Sequence, residues 1–355
     1  MHRSVLALAS LALVSAPLAV SSVAAAEPAG PNPPTVLARG QVSPLSLDVS
    51  PRGTVWYSQN FAGLLMKVRP GGEPKVVARA LKGKELGAVS VHKGVVTYAT
   101  TGRKGGTSLM KRRPNGKIVK VANLSRYEKR QNPDAGNEYG IPGLDPSCAD
   151  QWPVDEAGPP SYPGIVESHP YATVTVKGKR YVADAAANAI LAVGKGGKVS
   201  TAAVLPPQQL EITADLADAA GLPACAVGES YGFEAVPTDV ERGADGMLYV
   251  STLPGGPEDP SFGARASVLR VDPSDGSSEV VADGLLSATG LAVAPNGDIY
   301  VSELFGNRIR KIAAGTDKAV RFRKSTMPGD VEFAGGRVWA TRKVLAEGQV
   351  VRFPR

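Results

Sequence analysis

The feature that most constrains this chain is a short pattern that occurs six times. Its clearest copy runs Thr289-Gly-Leu-Ala-Val-Ala-Pro-Asn-Gly-Asp-Ile-Tyr-Val-Ser-Glu303 and continues into Asn307-Arg-Ile-Arg-Lys-Ile312. It reads as a short strand, an Asn-Gly turn, a second strand with aromatic and β-branched residues, and a third alternating strand. Related copies begin at Pro44, Gly87, Ala172, Thr238 and Gly329. Six turn glycines (Gly53, Gly94, Gly178, Gly246, Gly297, Gly336) are followed three residues later by Trp56, Thr97, Tyr181, Tyr249, Tyr300 and Trp339. Aromatics make up only 6% of the chain, so five in six matched places mark a true repeat. Charged segments between copies, such as 76–81, 118–124 and 280–285, supply a fourth strand.

Four short strands per repeat, at a period of about 40–50 residues, are the signature of a β-propeller. The expected fold is therefore all-β: a six-bladed β-propeller of four-stranded blades, forming a single domain over residues 35–355. The last copy ends at 350–354 without a fourth strand, whereas strand-like residues 35–40 precede the first. Strand 35–40 is expected to complete the last blade and close the ring. Radial closure leaves only short, protected sheet edges.

Two insertions break the period, 125–162 and 207–233. Both connect an outer strand to the next inner strand, which places them together on one face beside the central channel. Residues 208–220 have helical spacing and end at Gly221, so a short capping helix is expected there.

Residues 1–26 read as a secretory signal peptide: a basic start at His2-Arg3, an apolar run, and an Ala24-Ala-Ala26 end. Residues 27–34 read as a flexible lead-in, and no later stretch reaches the ~20 apolar residues of a spanning helix. The expected location is secreted or extracellular. In an oxidising compartment, Cys148 and Cys225 are most simply one disulfide stapling the two insertions, with two buried thiols as the alternative. No histidine lies close to either cysteine, which argues against metal ligation.

The repeat resembles NHL-type and TolB-like propellers. Asn132-Pro-Asp134, Ser168-His-Pro-Tyr171, Ala235-Val-Pro-Thr238 and the run 264–271 resemble more specifically the ScyD/ScyE family of secreted propellers, named from scytonemin gene clusters. That family often has Asn-Pro-Tyr where this chain has His169-Pro-Tyr171. The resemblance implies an exported propeller and carries over no catalytic residue.

Polar groups at the starts of the innermost strands, on the insertion-bearing face, are the candidate ligand-binding residues: Glu85, Glu167, His169, Asp239 and Asp330, with Tyr171 as an aromatic wall and Tyr231 as another. Carboxylates converging from several blades could hold a divalent cation such as calcium in the central channel. A histidine among them could act as an acid or base, or bond to a neighbouring blade's carbonyl. The competing reading is that these groups cap strand ends. Asp184 and Glu303, after second strands, read as acceptors for the following turn.

The expected function is an exported ligand- or protein-binding module that uses the insertion-bearing face. The alternative is a metal-dependent hydrolase or lactonase of the gluconolactonase type. Such propellers resemble this chain but place an asparagine before a Gly-Leu inner strand, where Thr289 stands here; the virginiamycin-lyase type needs more histidines on one face than this chain has. The net charge is +7, and a basic run extends from Arg103-Lys104 through Lys111-Arg-Arg113 to Lys129-Arg130. It suits an anionic surface or forms a solvated edge of the second blade. The expected partners are a small molecule or an envelope protein bound by a monomer, with no nucleic acid.

Overall fold

The structure, a computed structural model, describes residues 33–102, 106–256 and 262–354. The expected signal peptide, most of the lead-in, and Arg103 and Lys104 of the basic run lie outside the described residues.

The repeat folds as antiparallel β-sheet. Its six turn glycines all adopt positive φ, from 71° at Gly336 to 91° at Gly246, a conformation that glycine takes without a Cβ penalty. Six four-stranded sheets start from the innermost strands Leu47–Val49, Glu85–His92, Pro170–Val176, Pro237–Arg242, Ala288–Val293 and Val331–Ala334. These strands neighbour one another in chain order and the last lies beside the first, so the sheets form a closed ring. Thr35–Gln41 pairs antiparallel with Gly348–Arg352 and completes the sheet that begins at Val331. Both chain ends thus share one sheet.

The aromatics that follow the turn glycines are wedges between sheets. Trp339 packs with Leu47, Val55 and Tyr57 of the first sheet, and Trp56 of that sheet packs with Leu86, Val96 and Tyr98 of the second. Tyr181 meets Val240 and Val250, and Tyr300 meets Val331 and Val338. Where the second repeat has Thr97 instead, its hydroxyl accepts from Arg180 Nε of the third sheet (3.3 Å).

The structure adds a seventh four-stranded sheet to the six expected. It is made wholly from the insertion segments, in the order Ser161–Pro163, Glu138–Gly140, Ser230–Phe233, Gln208–Glu211. Gly140 opposite Gly232 joins the two halves. Neither half could bury its own edge, and pairing across the face satisfies both. This corrects the expected helix over 208–220. Gln208–Glu211 alternates and pairs with Ser230–Phe233, and the helix is confined to Ala214–Ala220. Thr213 caps it by accepting from Leu216 N–H (3.2 Å), and Gly221 ends it in the left-handed region. A second helix, Leu124–Gln131, was not expected; Asn123 caps its first turn.

Cys148 and Cys225 are bonded, with Cα atoms 5.8 Å apart. Cys148 sits in a small core of the insertions with Ile141, Trp152, Ile212 and Ala226, and its partner Cys225 lies at the exposed rim of that core. The residues are 77 apart in sequence, and closing a loop of that size stabilises by roughly 4–5 kcal/mol in the chain-entropy model. The Cys148→Ser/Cys225→Ser double variant should lose about 2–4 kcal/mol in guanidinium unfolding. Hydrogen exchange should place the loss in 138–163 and 208–233, and a variant as protected there as the parent would show that the insertion sheet holds without its staple.

Candidate functional site

The innermost strand of each sheet exposes a row of N–H and C=O groups to the axis, where no further strand can pair with them. Short polar side chains of the adjoining sheet satisfy them at every junction. Ser46 Oγ accepts from Val89 N–H (2.8 Å) and Asp330 Oδ2 from Leu47 N–H (2.7 Å). Asp239 Oδ2 accepts from Leu291 N–H (2.6 Å), and Asn188 Oδ1 from Val236 N–H (3.0 Å). The Thr173 hydroxyl donates to Ala88 O, and the Thr289 hydroxyl to Gly329 O (2.6 Å).

Asp239 and Asp330 are therefore not side by side with the other candidates in an open pocket. Each lies one residue deeper, buried, with its second oxygen on the N–H of its own next residue. Asp48, Glu241 and Glu332 join them at the axis; carboxylates from the first, fourth and sixth sheets raise one another's affinity for protons there. Burial pushes Asp48 and Asp239 up to about 7, and raises Asp330, Glu241 and Glu332 as well. Among the described residues no group of three or more His, Cys, Asp or Glu side chains is arranged to hold a metal ion. The Asp239 and Asp330 oxygens serve backbone amides, so strand-edge capping accounts for both residues without a cation.

Above this ring of acids lies a cavity of about 840 Å3. Leu45, Glu85, His169, Thr238, Thr289 and Gly329 reach it, one from the start of each innermost strand. Glu85, Glu167, His169 and Tyr171 are thus brought together. His169 Nε2 lies 3.3 Å from Glu85 Oε2, so its partner is the neighbouring sheet's carboxylate rather than a carbonyl. Its ring meets Tyr171 edge-on, centroids 5.0 Å apart. Asp184 holds this corner from behind: it accepts from the Ser168 hydroxyl and from His169 N–H, both at 2.6 Å, and also from the backbone of Ala187 in the turn after its own strand. Burial pushes Asp184 up to about 6.

The first insertion lines the mouth through Ser125, Glu128 and Lys129, whereas residues 207–233 stand apart from the cavity. Tyr231 stacks on Trp152 and packs against Phe233 within the insertion sheet, so it is no wall of the site. Asp134 and Glu234 anchor that sheet to the ring. Both accept from Asn188 Nδ2, and they take the hydroxyls of Tyr139 (2.9 Å) and Tyr162 (3.2 Å) respectively. Burial raises both carboxyls, and Asp134 raises Glu234 further. Sequence reasoning missed Asp48, Glu128 and Asn188. The repeated Asp239-Val-Glu241 and Asp330-Val-Glu332 were the available signal, since one acid recurring at one register serves a junction rather than a single site.

No family model and no curated protein matches the chain. Solved structures do. The PQQ-bound aldose sugar dehydrogenase of Streptomyces coelicolor is 12% identical over 90% of this chain and 96% of its own, with a TM-score of 0.53. Virginiamycin B lyase of Staphylococcus aureus with quinupristin is 15% identical over 87% of this chain and 80% of its own, with a TM-score of 0.50. A chain of a nidogen/laminin complex is 9% identical over 82% and 86%, with a TM-score of 0.51. At these identities the likeness shows the fold, a β-propeller, and nothing of the activity.

The axial acids set a pH dependence. Their folded pKa values are raised, so the folded chain binds more protons than the unfolded one between about pH 4 and pH 8. Stability is then full at the acid end, falls as pH rises above about 4, and levels off once Asp184, Asp48 and Asp239 have ionised at about pH 6 to 7 and above. The thermal midpoint should be higher at pH 5 than at pH 8. Glu332→Gln, which removes one like charge, should recover about 1 kcal/mol at pH 8 and little at pH 5, one pKa unit being worth ~1.4 kcal/mol. A flat profile would refute this account of the channel.

Proposed function

We propose that this chain is an exported propeller of the ScyD/ScyE type that binds a small organic ligand in the axial cavity. The observation that carries the reading is the cavity itself. Its volume of about 840 Å3 lies within the ~300–1,000 Å3 of ligand pockets, and all six sheets of the ring contribute to it. A ligand there would touch walls fixed by the ring closure, so little ordering is needed on binding. The lining mixes apolar surface (Leu45, Phe61, Val166, Tyr171) with the Glu85–His169 pair, which suits an apolar body bearing one or two polar groups.

Export is supported by the disulfide and by the apolar first residues. Among the described residues no helix is long and apolar enough to cross a membrane. The family reading gains support from its motifs. Asn132 Nδ2 donates to Gly164 O, Asp134 accepts from Asn188 Nδ2, and Val236 N–H is bound by Asn188, so these segments tie the first insertion to the ring. The hydrolase reading has less support, because Thr289 gives its hydroxyl to Gly329 O and Asp239 and Asp330 serve strand edges.

A thermal-shift screen of the purified protein against small organic molecules tests the reading. Compounds that stabilise the parent should lose at least roughly tenfold in affinity on Tyr171→Ala, the loss of about 1.4 kcal/mol expected for a buried aromatic contact. Hits that ignore Tyr171→Ala and His169→Ala alike would place binding elsewhere and sink the proposal.

A further inference from the structure

Glu128 projects from the helix Leu124–Gln131 and belongs to the cavity wall beside Thr107, Ser125 and Ser168. Its side chain is 1% exposed, yet neither Oε1 nor Oε2 has a hydrogen-bond partner. Nearly all buried polar atoms in folded proteins are paired, and a carboxyl left without donors is among the most costly exceptions. The shortage is local rather than confined to one group. Just beyond it in the chain, Asn132 Oδ1 and Asp134 Oδ1 are also buried without a donor. This corner of the fold therefore has acceptor oxygens in excess and lacks N–H or O–H groups to meet them.

A ligand that meets such a corner brings N–H or O–H donors, and it pairs most strongly with Glu128 when it also carries positive charge. Among the described residues no three acidic, histidine or cysteine side chains are arranged as metal ligands. An ammonium group needs no such arrangement: it offers up to three donors and pairs with one carboxylate. Resting on the cavity being the ligand site, we propose that Glu128 anchors a protonated amine, so that the cavity selects an alkyl- or arylalkylammonium compound with its apolar body against Tyr171 and Phe61.

The charge state of Glu128 gives the proposal a distinctive signature. Burial pushes its carboxyl up to about 8, and the neighbouring Asp184 and Asp134 add to the shift. The other charged groups at the cavity are Glu85, Glu167 and His169 on its walls and the exposed Lys82 and Lys129. At pH 7 the empty site thus holds a neutral acid. When an ammonium enters, the Glu128 O–H bond breaks, the proton leaves to solvent, and the resulting carboxylate pairs with the cation. Binding is coupled to proton release.

Calorimetry on the whole protein tests this with arylalkylamines and alkylamines, each paired with the alcohol of the same skeleton, such as 2-phenylethylamine and 2-phenylethanol. Titrations at pH 7 in two buffers of different ionisation enthalpy read the proton. The amines should bind at least tenfold tighter than their alcohols and release up to one proton per site. Glu128→Gln, which keeps shape and polarity, should remove both the preference for the amine and the proton release. Equal affinity for amine and alcohol in the parent overturns the anchor yet leaves the cavity reading standing, and needs no variant. Release that persists in Glu128→Gln, or calcium binding that depends on Glu128 and excludes the amine, also overturns it. If no member of either series binds, the cavity reading itself fails.

Discussion

A closed ring of sheets has a problem at its centre. Every innermost strand turns an edge toward the axis, and its N–H and C=O groups have no further strand to meet. The ring solves it by passing one short side chain across each junction: Ser46 to Val89, Asp239 to Leu291, Asp330 to Leu47. Carboxylates are the strongest acceptors for such amides, and using them concentrates acids where water is scarce. The raised pKa values of Asp48, Asp239 and Asp330 follow from that choice. Charge that would signal a metal site on a surface here belongs to the joints of the ring.

The insertions meet the same constraint differently. Their four strands pair with one another, which disposes of their edges, and the disulfide ties their core. What remains is attachment to the ring, made through Asn188 to Asp134 and Glu234 together with the Tyr139 and Tyr162 hydroxyls. Two carboxyls on one amide in a buried place favour a shared proton, because both ionised would repel. The first insertion thereby reaches the cavity mouth through its helix, while the second stays behind it as support.

Much of this was legible because the ring is built from local rules. The Gly-x-x-aromatic spacing reports a left-handed turn and a wedge between sheets, and both needs recur in every repeat. The closing strand was legible because residues 350–354 leave a sheet one strand short. Pairing between insertions was not, since Gly140 and Gly232 lie 92 apart in a relation that no periodicity encodes. Glu128 was hidden by its neighbours. It stands in the run Arg126-Tyr-Glu-Lys-Arg130, which reads as a solvated basic surface until the helix turns one residue of it inward. Asp239 and Asp330 misled for the opposite reason: position at a strand start was visible, but the amide each must satisfy belongs to another sheet.

The separation between joint and cavity has a consequence for how such a protein can vary. The groups that hold the ring sit one residue below those that line the mouth: Asp239 below Thr238, Asp330 below Gly329. Side chains at the upper level, such as Glu85 and Phe61, line the cavity, so exchanging them alters what it holds while Asp239 and Asp330 keep their amides below. Thr238 and Thr289 are exceptions, because each hydroxyl both lines the cavity and bonds a carbonyl of the next sheet, Ala288 O and Gly329 O respectively. A propeller built this way can change its ligand mainly from the second and third sheets, where the lining side chains are long and the helix of the first insertion adds a wall. That is where the chain has placed Glu85, His169 and the unsatisfied carboxyl of Glu128.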